Sequence, residues 1–519
     1  MNSAGQTDAQ AMPGAPGPAV PASMWAIAVL FFLKASVLAL FVTPLWDVPD
    51  ELAHFATISD LASGRGVPRP GSAVVPPEAV RLWNPSLAAR PVYNWTAVHP
   101  PGYHVLAVPF LWGATALTAD PSWQVRGTRL FSALCGAVGL LFFFRVLREA
   151  GADRASSLAA AAAVGCLPMY SHMSSGVSHD ILCAVAGGVV ALFWMRLLRS
   201  GAIGDAVGVG LTLAAAGSVK ATAVPVAFAL LLQLPVHLPG RLPGRLARAA
   251  AVSLLAFSTT VAWALWRGKV PGSDVRPAVG PVRPTTPLAL FDVMREAPVL
   301  DHTFKNFFGL IGWTGTGKGS LDWIQVSGPF LATYLLLAAA LLALTAAWIW
   351  RGDFGAAKSP GEDRAAAASW FVGALVLAAT FGWLVSRPST AWPKLLLYSL
   401  LLSLLSLSAL RVWRRRPAPA GAVFSSQFTA LVFALAYLFH IARNALASGG
   451  MHGTHGRYFF VVLGFLLVGL ALPACARLAA PARPWLLTGV VLTLCANEAA
   501  FFALRVAPFY RGAAAAWRP

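Results

Sequence analysis

Hydrophobic positions along this chain fall in long blocks, too apolar for the half-polar skin of a soluble domain. Runs of roughly 20 mainly apolar residues, enough for one helix to cross a bilayer, recur from Met24 to the C-terminal region. The blocks predict spanning helices at 24–44, 127–147, 155–171, 180–198, 202–219, 221–237, 248–266, 327–350, 366–386, 394–411, 424–446, 457–475 and 484–506. The fold class is thus an all-α integral membrane protein with about 13 transmembrane helices. A single anchor on a soluble enzyme is excluded.

The apolar stretch from Tyr103 to Leu117 follows His99, Pro100 and Pro101 and is short for a span. Counting it as one would reverse the orientation of everything downstream. Reading it as a surface-lying or re-entrant helix gathers Arg145, Arg148, Arg196, Arg199, Arg241, Arg245 and the Arg411–Arg416 cluster on one side, which the positive-inside rule makes cytoplasmic. The opposite short loops keep Lys220, Arg387, Lys394, Arg443 and Arg457.

Three domain assignments follow. Residues 1–22, rich in Gly, Ala and Pro and free of Lys and Arg, are expected to be a disordered cytoplasmic tail; residues 23–507 form the polytopic domain, and 508–519 a short outer tail. Two long loops, 45–126 and 267–326, emerge on the non-cytoplasmic side, and loops of that length in a compact domain are more often functional than idle. No internal repeat of the transporter kind is evident.

Composition narrows the classes further. The chain is 57% hydrophobic and 11% charged, with a net charge of +19. In a soluble protein that charge would suggest nucleic acid, but the basic residues stand at the ends of apolar runs, where they face membrane lipid. No nucleic-acid partner is expected. The five cysteines lie in or beside apolar runs without C-x-x-C spacing and suggest neither a disulfide framework nor a metal site.

Candidate chemistry collects where the first span leaves the membrane. Trp46-Asp47-Val48-Pro49-Asp50-Glu51-Leu52-Ala53-His54-Phe55 places three carboxylates and an imidazole at an apolar boundary, a costly arrangement unless the charges are paired or used. Pro49 favours a helix start at Asp50, from which Glu51 and His54 could share a face; a solvated helix cap is the ordinary alternative. His99-Pro100-Pro101-Gly102 is a stiff turn. Asp180 stands in the first turn of the fourth span, where an N-cap would also explain it. Lys220 has almost no loop around it, so its ammonium faces either headgroups or the bundle. Gly456-Arg457-Tyr458 opens the twelfth span from the same side, with an arginine whose planar fork suits phosphate. Gly312 to Lys318 reads G-x-x-x-x-G-K but continues with Gly319 instead of Ser or Thr, and His452 with His455 lacks a third ligand; neither is a nucleotide or metal site.

The pattern Pro49-Asp50-Glu51-x-x-His54-Phe55 resembles the GT-C superfamily of membrane glycosyltransferases that use polyprenyl-phosphate-linked sugars. The likeness is greatest to a bacterial domain-of-unknown-function family, which joins that element to H-P-P (His99–Pro101), an Asp entering the fourth span (Asp180), a Lys between the fifth and sixth (Lys220) and G-R-Y (Gly456–Tyr458). That family usually carries Asn where this chain has His179.

The resemblance implies a GT-C-like fold, a polyprenyl-phosphate sugar donor, an envelope glycan, lipid or protein acceptor, and an active face outside a bacterial inner membrane. It makes Asp50 the general base and Glu51 its catalytic neighbour, orienting the acceptor or holding a water or metal. Arg457 and Lys220 receive the donor phosphate, and His54, Asp47, His99, Asp180 and Tyr458 support the site. Direct attack by the acceptor would invert the anomeric centre. No cofactor is certain, and a divalent cation stays open. Trp313 and Trp323 in the second loop would stack on sugar or anchor at the interface. The rival reading is a transporter or flippase of lipid-linked saccharides, which would show polar residues at mid-membrane and broken helices; a non-catalytic scaffold is a third.

Overall fold

The computed structural model describes residues 19–268, 324–351, 420–448 and 455–516, with short pieces at 289, 292–293, 303 and 306–311. The predicted spans at 366–386 and 394–411, residues 1–18 of the tail, Trp313, Trp323, Gly312–Lys318 and His452 lie outside the described residues.

Helices dominate. They are α1 (Ala22–Val37, continued to Val42 by a π-helical turn), α2 (Glu51–Ala62), α3 (Pro77–Trp83), α4 (Gly102–Leu117), α5 (Pro121–Glu149), α6 (Arg154–Gly165), α7 (Pro168–Ser174), α8 (His179–Ser200), α9 (Ile203–Gly217), α10 (Ala223–His237) and α11 (Leu242–Arg267). After a two-residue antiparallel pairing of β1 (Leu310–Ile311) with β2 (Ile324–Gln325) come α12 (Pro329–Arg351), α13 (Ala420–Ser448), α14 (Gly456–Ala476, entered through a 3-10 turn), α15 (Arg483–Phe501) and α16 (Ala507–Ala516).

Among the described residues, eight helices are long and apolar enough to cross a membrane. They meet eight of the predicted spans. Of the other three in this region, 202–219 and 221–237 are the shorter helices α9 and α10, and 155–171 is broken into α6 and α7. The break has a local cause: Pro168 has no N–H to donate and disfavours helical backbone before it, and Leu167 is extended.

The core forms around α5, α8 and α14, which are the most buried of the long helices, with α1, α4 and α6 packed on α5. By contrast α1, α11, α12 and α15 leave large apolar side chains exposed, among them Trp25, Leu30, Leu254, Leu336 and Leu492, as lipid-facing helices do. Helix α4 begins with the Tyr103 hydroxyl on Ser132 Oγ (2.8 Å) and ends a few residues before Pro121, so both its ends meet the first part of α5. It folds back beside α5 without reaching α5's far end.

Ionisable groups do not collect at one face alone: Lys34 in α1 pairs with Glu498 in α15 at 2.8 Å, well inside both spans. Lys34 also donates to the Gly165 carbonyl (2.6 Å), freed where α6 breaks off, and Ser171 bonds the second Glu498 oxygen. In the region of the expected outer tail, α16 runs to Ala516 and the buried Tyr510 hydroxyl bonds Asp47. All five cysteines are free, with the Cys166 and Cys495 thiols in contact.

Candidate active site

The loop after α1 is held by a residue that the sequence reading passed over. Arg129, buried in α5, spends its guanidinium on both sides of the loop. Nε and Nη2 grip the two Glu51 oxygens at 2.8 Å each, while Nη1 donates to the carbonyls of Ala39 and Thr43 and Nη2 to that of Pro44. Those carbonyls are the ones left over as the π-helical end of α1 unwinds. The Glu51 carboxylate further accepts from the backbone N–H of Trp46 and of Val177, at 2.8 Å each.

Glu51 is therefore enclosed, with every lone pair engaged, and does not face an acceptor or a metal. Nor does His54 support it: the His54 ring bonds two other imidazoles, His104 (3.0 Å) and His179 (2.7 Å). Asp47 also points away, to Tyr510 and to His172 at 3.8 Å. These three expected site residues form the wall behind the site.

Asp50 differs from its neighbours. It precedes α2 in the left-handed backbone region (φ 64°, ψ 8°), strained for a residue with a Cβ. The side chain stays 30% exposed, against 0% for Glu51. Oδ1 accepts from the Trp95 indole N–H (2.8 Å), and Oδ2 lies 3.4 Å from Arg457 Nη2.

Arg457 leads to the rest. Its Nε donates to Asp180 Oδ2 at 2.7 Å, and Lys220 Nζ bonds Asp180 Oδ1. Both cations lie over the Tyr458 ring, Lys220 Nζ 4.2 Å and Arg457 Cζ 5.8 Å from its centroid. Asp50, Arg457, Asp180, Lys220 and Tyr458, from four separate segments, thus form one network. Asp180 is not the N-cap of α8, a role taken by the Ser178 hydroxyl. Burial, the largest single influence, pulls the Lys220 ammonium down, but the Asp180 carboxylate with Tyr458 and Cys183 adding to it turns the net shift upward.

Two glycines allow these segments to meet. A Cβ on Gly102 would come within 2.6 Å of the Ser218 carbonyl, to which the Gly102 N–H donates at 2.9 Å; the bare backbone lets the His99–Gly102 turn dock beside Lys220. A Cβ on Gly187 would strike the Val461 carbonyl, so only glycine lets α8 approach the segment that carries Arg457 so closely.

His99 sits half-buried with its ring 4.8 Å from that of His179. Burial, with Lys220 adding to it, brings His99 down to about 4; burial likewise brings His104 to about 3 and holds His54 well below 6.5. Among the described residues, no three His, Cys, Asp or Glu side chains gather closely enough to hold a metal ion. Trp95, Arg129, His104 and His179 are the members that sequence reading missed or left without a role. The pairing of an in-span arginine with an acid beyond the preceding span was the available signal for Arg129.

Residues 99–263 match the family model described as dolichyl-phosphate-mannose-protein mannosyltransferase. The matched third includes His99, His104, His179, Asp180 and Lys220 and bears out the GT-C resemblance at the level of the superfamily; the Pro49–Phe55 and Gly456–Tyr458 motifs lie outside it. No protein of curated function matches the chain. Similar solved structures include the sugar-donor-bound Pmt1-Pmt2 protein O-mannosyltransferase complex of S. cerevisiae: 15% identity, TM-score 0.34, over 47% of this chain and 34% of that one. ArnT of Cupriavidus metallidurans bound to undecaprenyl phosphate is similar at 17% identity and TM-score 0.41, over 91% of this chain and 61% of that one. Its apo form is similar at 16% identity and TM-score 0.34, over 88% and 79%. The chain thus spans about a third and three fifths of the first two.

Proposed function

We propose that this protein is a membrane glycosyltransferase that moves a sugar from a polyprenyl-phosphate donor to a hydroxyl of an envelope glycan, lipid or protein, outside a bacterial plasma membrane. The observation that carries the reading is the Asp50–Arg457–Asp180–Lys220 network, in which Asp50 is the carboxylate left open to solvent. A carboxylate within hydrogen-bond reach of an acceptor hydroxyl takes its proton as the oxygen attacks the anomeric carbon. The bond from that carbon to phosphate oxygen breaks, the polyprenyl phosphate leaves with the electron pair, and Arg457 and Lys220 offset its charge. Asp180 holds the two cations side by side. Single displacement without an enzyme nucleophile inverts the anomeric centre. The family match to enzymes described by a dolichyl-phosphate-mannose donor supports the donor class.

The test is transfer of radiolabelled sugar from polyprenyl-phosphate donors by purified wild type and Asp50→Asn. A loss of about 100-fold or more in the variant, with unchanged folding, is expected. Undiminished transfer removes Asp50 as base. A wild type that transfers from no donor, yet carries lipid-linked sugar across vesicle membranes, establishes the transporter instead.

A further inference from the structure

Three imidazoles lie in line beside the network. His104 Nε2 meets His54 Nδ1 at 3.0 Å, and His54 Nε2 meets His179 Nδ1 at 2.7 Å. All three rings are buried, and both ends of the chain, His104 Nδ1 and His179 Nε2, are buried atoms with no hydrogen-bond partner. A neutral imidazole has one N–H and one bare nitrogen, so His54 must donate in one bond and accept in the other. Only two proton arrangements satisfy this. In the first, the bare nitrogen of His179 is Nε2, whose lone pair then faces the Asp180 carboxylate, Oδ1 at 3.9 Å. In the second, His179 Nε2 carries the proton and faces that carboxylate as a donor. The Asp180 carboxylate favours the second, and the Lys220 ammonium bonded to the same oxygen favours the first; in the second, the constraint passes down the chain and all three rings are protonated at Nε2.

We infer that His179 is a positioning residue, held by His54 and His104 as a reserve hydrogen-bond donor to Asp180 when a substrate phosphate draws on Lys220 and Arg457. The inference rests on the proposed function. In the free site the buried Asp180 carboxylate is offset by those two cations. A phosphate arriving between them takes up their N–H groups and shares their charge, and a buried carboxylate that loses part of its pairing is expensive. His179 Nε2–H needs to close by only about 1 Å to form a normal hydrogen bond there. Asp180 then keeps its orientation while the cations serve the ligand.

Two measurements test this. Nitrogen NMR of histidine-labelled wild type in nanodiscs reads each tautomer directly; Nε2–H on His54, His104 and His179 is expected, and Nδ1–H on His179 overturns the inference. Binding of a C55 polyprenyl phosphate is then compared among wild type, His179→Phe and His179→Asn. His179→Phe should bind about tenfold or more weakly, and His179→Asn, whose amide can still donate to Asp180, should recover most of the loss. Equal binding by wild type and His179→Phe removes the inference and leaves the proposed function standing. Absence of binding by wild type removes both. If His179→Phe does not fold, the tautomer of the wild type decides.

Discussion

Replacing Glu51 by Gln is the sharpest way to separate a catalytic acid from a structural one. The exchange keeps the size and removes the charge, leaving the Arg129 guanidinium buried against a neutral amide. One of its two fork bonds becomes a donor facing a donor, and one backbone N–H, of Trp46 or Val177, loses its acceptor. Breaking one partner out of a buried ion pair costs about 3–5 kcal/mol, a large share of the roughly 5–15 kcal/mol that holds a folded domain. Glu51→Gln should therefore show a much lower thermal midpoint and a poor monodisperse yield in detergent. The double variant Glu51→Leu with Arg129→Met, which removes both charges, should recover part of that loss, because the uncompensated charge rather than the missing pair is the main cost. Recovery is incomplete because the carbonyls of Ala39, Thr43 and Pro44 lose their donor. If Glu51→Gln unfolds at the wild-type temperature while transfer disappears, the scaffold assignment is wrong and Glu51 belongs to the chemistry.

Asp180→Asn should leave Lys220 and Arg457 without their shared counter-ion, lowering stability by about 3–5 kcal/mol and weakening donor binding; wild-type values in thermal shift and polyprenyl-phosphate binding would refute the bridging role. Trp95→Phe keeps an aromatic ring at this exposed position and deletes the indole N–H on Asp50, so transfer should drop by roughly fivefold to tenfold with little change in stability, and unaltered kcat and KM count against it. Acid should destabilise the protein below about pH 6.5: the unfolded imidazoles protonate there, whereas His99 and His104 resist until about 4 and about 3, so the unfolded state binds more protons and stability falls as pH falls. A thermal midpoint flat between pH 7 and 4.5 would contradict the buried neutral rings.

The block pattern of hydropathy made the membrane class and most helix positions legible, because a lipid-facing span must be apolar along its length whatever it packs against. Helix α7 was lost in the predicted span 155–171 for the opposite reason: Pro168 breaks the backbone without breaking the hydropathy. Asp50, Asp180, Lys220 and Arg457 stood out because charge at an apolar boundary is costly, and the fold unites them. Glu51 and Asp47 stood out on the same ground, yet their partners Arg129 and Tyr510 are 78 and 463 residues away. Spacing along one segment shows that a charge needs an answer, not where the answer comes from.

The same distinction bears on the transporter reading, whose expected signs, a mid-membrane charge and a broken helix, are both present in Lys34–Glu498 and the α6–α7 break. An ion or substrate site needs groups left over to bind something. Here Lys34 is engaged by Glu498 and by the Gly165 carbonyl that the break exposes, and Glu498 by Lys34 and Ser171. The pair repairs the backbone where Pro168 ends the helix, and its charges cancel. Lys34→Met should accordingly destabilise the protein, since it leaves Glu498 buried and unpaired, while Lys34→Met with Glu498→Gln should regain stability and retain full transfer activity. A transport site would behave otherwise: the double variant would stay folded and lose function, and that outcome would move the assignment from enzyme to transporter.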